Sequence, residues 1–140
     1  MTRSLHILSL ALAILLSASL AVAQEKSTPP KAAQSWSGYL VDKNCGTMIG
    51  KKEKTKAMEM GKKHSVACAL DEACMASGYG IIHEGTFIKF DDAGDAMAAK
   101  YLKGLSKKND VLVTVSGILK GEILHVTKIA DEPTAPDKKG

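Results

Sequence analysis

Five β-prone runs and two helical segments limit the folds open to this chain more than any other feature. The runs cover residues 36–42, 79–83, 86–90, 111–117 and 122–129, and the helical segments cover residues 55–75 and 93–106. If the first helix is an insertion, the remaining order is β-β-β-α-β-β, which is the order of a five-stranded OB-fold. We therefore predict a mainly β fold with helices (β/α+β), built as a small OB-fold-like Greek-key barrel with a helical insertion after strand 1. A small α+β sheet domain is the alternative.

Local signals set the ends of several segments. Glu84-Gly85 lies between two β-prone runs and predicts a hairpin. Asp91 or Asp92 is suited to cap the second helix, because a carboxylate can accept the first free N–H groups of a helix. Residues 46–56 are rich in Gly and Lys, and we predict a loop there.

Four stretches of sequence resemble a known group of proteins. They lie within residues 36–130 and read WSGYLVDKNCG, HSVACALDEACMASGYG, FIKFDDAGDAMA and VLVTVSGILKGEILHVTKI. In these stretches the chain resembles small secreted bacterial OB-fold-like proteins. The resemblance implies an extracytoplasmic barrel with cysteines near one end, and it implies no particular reaction.

The N-terminal segment predicts a secretory signal peptide over residues 1–23. Arg3 gives a positive start, an apolar run follows, and the run ends in Ala21-Val22-Ala23, the small-residue pattern that signal peptidase cleaves. The apolar core is shorter than the roughly 20 residues that a bilayer span needs. We expect cleavage after Ala23, no membrane anchor afterwards, and a periplasmic or secreted protein.

The remaining chain predicts one folded domain between two polar ends. Residues 24–34 contain Pro29-Pro30 and predict a flexible leader. Residues 131–140 predict a disordered tail. The folded OB-fold-like domain is therefore expected over residues 35–130.

The charge of the mature chain argues against a nucleic-acid partner. Cleavage removes Arg3 and no acidic residue, so the formal net charge of +4 falls by one and every remaining basic residue is a lysine. Arginine is the residue best suited to bidentate contacts with phosphate and guanine. We predict a monomer that binds a small ligand or an envelope protein.

Three cysteines, Cys45, Cys68 and Cys74, are the most informative residues of the mature chain. An oxidising compartment favours disulfides, and an odd number leaves one thiol over. In a continuous helix, Cys68 and Cys74 would lie about 9 Å apart along the axis and on different faces, too far apart for a disulfide. Cys74 borders an apolar stripe, so we predict a Cys45–Cys74 disulfide.

The same region also predicts a soft-metal site as an alternative. His64 and Cys68 are four residues apart and would share one helix face, with Met75 on the same stripe. Imidazole, thiolate and thioether suit copper, and the set without the thioether suits zinc. The candidate ligands are Cys45, His64, Cys68 and Cys74, although no cofactor is expected if the disulfide forms.

Other motifs leave little support for catalysis. The chain lacks C-x-x-C, C-x-x-C-H, G-x-S-x-G and the Gly-rich phosphate loops. On an OB-fold, exposed aromatic rings can stack ligands, which makes Tyr79 and Phe87 a candidate ligand face. We predict a non-enzymatic extracytoplasmic binding module; the alternatives are a Cu- or Zn-binding protein and a thiol-dependent enzyme acting through Cys68 beside His64.

Overall fold

A computed structural model describes residues 32–132. Its elements are β1 (Gln34–Asp42), α1 (Lys43–Ile49), α2 (Lys54–Lys63), α3 (Val66–Ala69), α4 (Glu72–Ser77), β2 (Tyr79–His83), β3 (Thr86–Phe90), α5 (Asp92–Lys103), β4 (Leu112–Lys120) and β5 (Ile123–Asp131). The predicted signal peptide and its cleavage site, most of the predicted leader and most of the predicted tail lie outside the described residues.

The five strands form a sheet that closes in a ring in the order β1-β2-β3-β5-β4. Four of the pairings are antiparallel, and β1 takes part in two of them. The ring closes through a short parallel contact in which Lys89 and Phe90 of β3 face Ile123 and Leu124 of β5. The fold is therefore mixed α/β with a five-stranded closed sheet, as the order of segments predicts.

The main core fills the interior of this ring. In β4, Val113 and Val115 are fully buried and alternate with half-buried neighbours, which is the period of two expected of a strand with one face inward. Leu102 of α5 packs into the same cluster. Side chains of this size each contribute roughly 1.5–3 kcal/mol when they are fully buried.

A second, smaller cluster lies under α1 and α2. It contains Val41, Ile49, Ala57 and Ile82, with Phe87 packed against it. Gly46 of α1 lies so close to Phe87 that a Cβ there would come within 2.3 Å of the ring. The missing side chain lets α1 pack directly on the sheet, next to the end of β1.

The predicted long helix over residues 55–75 is wrong, because three short helices occupy this region. His64 has extended backbone angles and ends α2. Ser65 and Asp71 then cap α3 and α4, each by accepting a hydrogen bond from a backbone N–H. Such side chains compete with helix continuation and favour new helix starts.

The predicted loop over residues 46–56 is also wrong in part. Asp42 caps α1, which covers Lys43–Ile49, and Glu53 caps α2. The strands extend beyond the predicted domain of residues 35–130 at both ends, since Gln34 pairs with Gly117 and Asp131 pairs with Val113. The predicted strands over residues 79–83 and 86–90 are confirmed.

Asp91 connects α5 to the sheet. Its Oδ1 accepts hydrogen bonds from Gly94 N (3.0 Å) and Val126 N (3.2 Å), and its Oδ2 lies 3.2 Å from Nδ1 of His125. Burial raises the pKa of Asp91, but these two hydrogen bonds and His125 together lower it below its ordinary value of 3.8. The ionised carboxylate is therefore the form that stabilises the fold.

We predict that Asp91→Ala lowers the free energy of unfolding at pH 7 by about 1–2 kcal/mol, because the variant loses the N-cap of α5. Urea titration measures this change. The contribution is present above the ordinary pKa and is lost as the pH falls through the lowered pKa, so the two proteins converge in acid. The neighbouring Asp92→Ala is the control, with a change within about 0.5 kcal/mol. Equal loss in both variants would contradict the role of Asp91.

Candidate metal centre

Four side chains converge where β1 ends and the inserted helices begin. Asp42, Cys45, His64 and Cys68 each direct one donor atom to this point, and the four atoms lie within 4.8 Å of one another. They come from the end of β1, from α1, from the end of α2 and from α3. This cluster, called the centre below, could hold a metal ion.

Asp42 is the most buried member of the centre, with no exposed surface. Its Oδ1 accepts a hydrogen bond from Cys45 N at 2.9 Å, which starts α1. Its Oδ2 is buried and has no hydrogen-bond partner. A buried carboxylate costs free energy unless it is paired or binds a metal, so this unpartnered oxygen calls for a cation.

His64 supplies the nearest basic group to that oxygen. Its side chain is 7% exposed, and its Nε2 lies 2.8 Å from Asp42 Oδ2. The separation fits an ion pair, yet neither atom forms a hydrogen bond of acceptable direction. A hydrogen bond weakens steeply when it is misaligned, so this contact satisfies the two atoms less well than an aligned hydrogen bond would. Both atoms therefore keep their capacity to bind an ion.

The backbone around His64 is held from outside the insertion. Val66 N donates to Lys108 O at 2.8 Å, and Asp110 N donates to Lys62 O at 2.9 Å. These two bonds tie both sides of the α2–α3 junction to the segment that precedes β4. The position of the imidazole is therefore set by the closed sheet as well as by its own helix.

Each of the three cysteines is the third residue of a short helix. The N-caps are Asp42, Ser65 and Asp71, and each is followed three residues later by a cysteine. The side chains of Asp42 and Ser65 accept hydrogen bonds from the N–H groups of Cys45 and Cys68, respectively. The capping contact thus fixes the backbone of these two cysteines directly.

Burial and mutual proximity keep two of the thiols neutral. Burial raises the pKa of Cys45 from 9.0 to about 12, with further contributions from the charge and hydrogen bonding of Asp42 and Cys68. The same causes, burial first, raise the pKa of Cys74 to about 11. Asp42 and Cys68 thus contribute to the raised pKa of both thiols, although Cys74 is not among the four converging side chains.

The donor set fits a tetrahedral ion. Zn²⁺ takes four ligands from sulfur, nitrogen and oxygen at about 2.0–2.3 Å, which places the ligand atoms about 3.3–3.8 Å apart. Donor atoms that all lie within 4.8 Å of one another can reach these separations by small side-chain shifts. Two thiols, one imidazole and one carboxylate are ligand types that zinc accepts.

Three of the four predicted metal ligands meet in the centre. Cys45, His64 and Cys68 belong to the group of four, while Cys74 does not. The reasoning that joined His64 to Cys68 is wrong, because they do not share one helix. They meet since the chain turns between α2 and α3. Met75 packs against the main core.

Sequence reasoning missed Asp42. It lies at the end of the first strand, three residues before Cys45. The Asp-x-x-Cys spacing is typical of an N-cap whose side chain accepts a hydrogen bond from the backbone N–H three residues later. Ser65 and Cys68 show the same pattern, and Asp71 and Cys74 share the spacing although Asp71 accepts from Ala73 N. Reading these three caps together would have shown both the helix breaks and the acidic ligand.

The three cysteines are free thiols in the structure, so the Cys45–Cys74 disulfide is not formed here. The pairing stays a prediction. The argument that kept Cys68 and Cys74 apart no longer holds, because α3 ends at Ala69 and α4 begins at Glu72.

The predicted aromatic ligand face is not an open surface. Tyr79 is 2% exposed and its hydroxyl donates to Ala69 O at 2.8 Å, so its ring belongs to the main core. Phe87 is half-buried, and its ring lies against Gly46 and Gly80. Tyr79 has too little accessible area to stack on a ligand.

The chain matches no protein-family model, no curated protein and no solved structure. Within the described residues, none of the helices has the length and hydropathy of a bilayer-spanning segment. The functional assignment therefore rests on the geometry of the centre.

We predict that the folded, metal-free and reduced protein alkylates slowly at Cys45 and Cys74 at pH 8. The raised pKa values leave far less thiolate than in a free cysteine, and we expect rates at least about tenfold lower. Mass spectrometry of peptides after timed iodoacetamide treatment measures each site. The denatured protein is the control. Equal rates in both states would show that these thiols are neither buried nor neutral.

Proposed function

We propose that this protein is an extracytoplasmic metal-binding module with an OB-fold-like barrel, and that its ligand is a Zn²⁺ ion held by Asp42, Cys45, His64 and Cys68. The observation that carries the proposal is that two buried atoms, Asp42 Oδ2 and His64 Nε2, face each other at 2.8 Å without an aligned hydrogen bond, beside two thiols. This proposal names Zn²⁺ as the ligand of the binding module that the sequence predicts.

The ring order and one connection support the OB-fold-like assignment. A helix, α5, lies between β3 and β4, and β3 makes a parallel contact with β5. The helices α1 to α4 form the insertion after the first strand. The signal peptide predicted over residues 1–23 supports an extracytoplasmic location.

Four protein ligands favour binding over catalysis. Catalytic zinc sites keep one position for water or substrate, whereas closed sites with four protein ligands serve structure or storage. The raised pKa values of Cys45 and Cys74 also argue against these two residues as nucleophiles, because a cysteine nucleophile reacts as the thiolate. Both points favour a non-enzymatic role.

The binding experiment uses the full chain, secreted and purified under reducing conditions. Native mass spectrometry and zinc titration are expected to show one Zn²⁺ per chain. We predict that Cys68→Ser and His64→Gln each weaken zinc binding by about 100-fold or more, since each removes a ligand. His125→Gln is the matched control, because this histidine pairs with Asp91 away from the centre. A reduced protein that binds no zinc, or a His64→Gln variant that binds it as tightly as the parent, would refute the proposal.

We further predict that Asp42→Asn separates metal binding from folding. An asparagine keeps the Oδ1 that caps α1 but removes a charge that is fully buried. Without metal, the variant should be at least as stable as the parent, because burial of a charged oxygen without an aligned hydrogen bond is costly. With excess zinc, the parent should gain more thermal stability than the variant, since the gain rises with the ratio of zinc concentration to the dissociation constant.

Thermal melts with chelator and with zinc test this prediction. A large loss of stability in the chelated variant would show that the carboxylate serves the fold through an interaction other than the cap. An equal gain from zinc in both proteins would show that Asp42 is not a ligand.

A further inference from the structure

Two of the four donor atoms of the centre are sulfurs that can also bond to each other. Sγ of Cys45 and Sγ of Cys68 lie within 4.8 Å of each other, and both residues are free thiols. A disulfide bond is about 2.05 Å long, so the two sulfurs would have to approach by at most about 2.8 Å to form one. The pair is therefore a candidate for reversible oxidation as well as for metal binding.

The backbones that carry these two thiols are held in place on separate helices. Cys45 N donates to Asp42 Oδ1 at 2.9 Å, and Cys68 N donates to Ser65 Oγ at 3.1 Å. The helices α1 and α3 also each contain two buried residues. A change of side-chain rotamer moves a sulfur while the backbone stays fixed, so the thiols can approach each other without loss of either cap.

The geometry favours one of the pairings that three cysteines allow. Cys45 and Cys68 both belong to the centre, whereas Cys74 is not among its four converging side chains. The pairing of Cys45 with Cys74 depends on a continuous helix over residues 55–75, but α3 and α4 are separate helices. Oxidation is therefore expected to join Cys45 to Cys68.

We propose that Cys45 and Cys68 form a redox switch on the centre: in the metal-free protein they join in a reversible disulfide that does not bind Zn²⁺, and bound Zn²⁺ keeps them reduced. This inference rests on the proposed metal-binding function and names the regulation of the same site. Zinc binds cysteine as the thiolate, so oxidation removes two of the four proposed ligands. The extracytoplasmic location proposed above supplies the oxidising surroundings in which disulfides form.

The oxidant is a low-molecular-weight disulfide, RSSR. One cysteine thiolate attacks RSSR, a mixed disulfide forms, and one RS⁻ leaves. The second cysteine thiolate then attacks the mixed disulfide, the Cys45–Cys68 bond forms, and the second RS⁻ leaves. The two protein sulfurs lose two electrons in total, RSSR gains them, and the two protons of the cysteines pass to the two RS⁻ ions.

Zinc and the disulfide exclude each other, so each weakens the other by the same factor. At a free zinc concentration of about 100 times the dissociation constant, the equilibrium constant for oxidation should fall by about 100-fold. At about 29.6 mV per tenfold change, this fall raises the midpoint potential of the cysteine pair by about 59 mV. The affinity for zinc thus determines how strongly the ion protects the thiols.

The test uses the full chain, equilibrated anaerobically in mixtures of oxidised and reduced glutathione, without metal and at a buffered free zinc concentration. Samples are followed until the ratio of oxidised to reduced protein is constant. Peptide mass spectrometry after acid quenching should show one disulfide, between Cys45 and Cys68. We expect the oxidised protein to bind Zn²⁺ at least about 100-fold more weakly than the reduced protein, since two ligands are lost. Added zinc should raise the midpoint potential as its affinity requires.

Cys74→Ser is the matched control, because it removes a thiol that is not among the four side chains of the centre. It should keep the Cys45–Cys68 disulfide, and zinc should change its oxidation equilibrium by a factor within about threefold of the factor for the parent. Asp42→Asn keeps both thiols but removes a proposed ligand. Zinc should therefore protect the thiols of this variant less than it protects those of the parent.

Each other result has a distinct meaning. If the reduced protein binds no zinc, the proposed function fails and the switch fails with it. If the reduced protein binds zinc but oxidation forms no disulfide, or joins Cys74 to another cysteine, the switch alone is wrong. The switch is also wrong if the oxidised protein binds zinc as tightly as the reduced protein, or if Cys74→Ser abolishes the disulfide.

Discussion

The site depends on the two contacts that the buried carboxylate of Asp42 makes. Its Oδ1 accepts a hydrogen bond from the N–H of Cys45 and so caps α1 where β1 ends, and its Oδ2 faces the imidazole of His64. The same side chain thus sets the backbone of one proposed ligand and the electrostatic surroundings of another. A carboxylate without exposed surface is costly on its own, and an ion bound by its free oxygen offsets that cost.

The closed sheet supplies the rigid frame for this arrangement. Asp42 pairs with Tyr79 across β1 and β2, and Lys43 N donates to Gly78 O at 2.8 Å. The insertion therefore leaves and rejoins the ring at adjacent positions. Gly78 can rejoin it because its φ of +89° suits glycine, and a Cβ there would lie 2.5 Å from Asp95 Oδ2. Both ends of the inserted helices are fixed; Asp42 and Cys45 lie at the first end, and His64 and Cys68 lie in the middle.

The strands could be predicted from the sequence because their alternating apolar residues and turns are local signals. The order of segments also predicted a closed five-stranded sheet. The insertion could not be predicted in the same way, since its Ala, Met, Lys and Leu residues favour a helix whether it is continuous or broken. The caps at Ser65 and Asp71 decided the outcome by local hydrogen bonds. Asp42 was not predicted as a ligand because a single acidic residue at the end of a strand does not form a metal-ligand spacing by itself.

The proposed ligands are far apart along the chain although they are close in space. Cys45 and Cys68 are separated by 22 intervening residues, which include all of α2. An ion bound between them works as a removable cross-link, and such a link removes conformational freedom that the open loop would otherwise keep. Loss of the ion would thus first increase the mobility of the inserted helices, while the ring of strands, which the centre joins at the Asp42–Tyr79 pair, would stay closed through its other pairings.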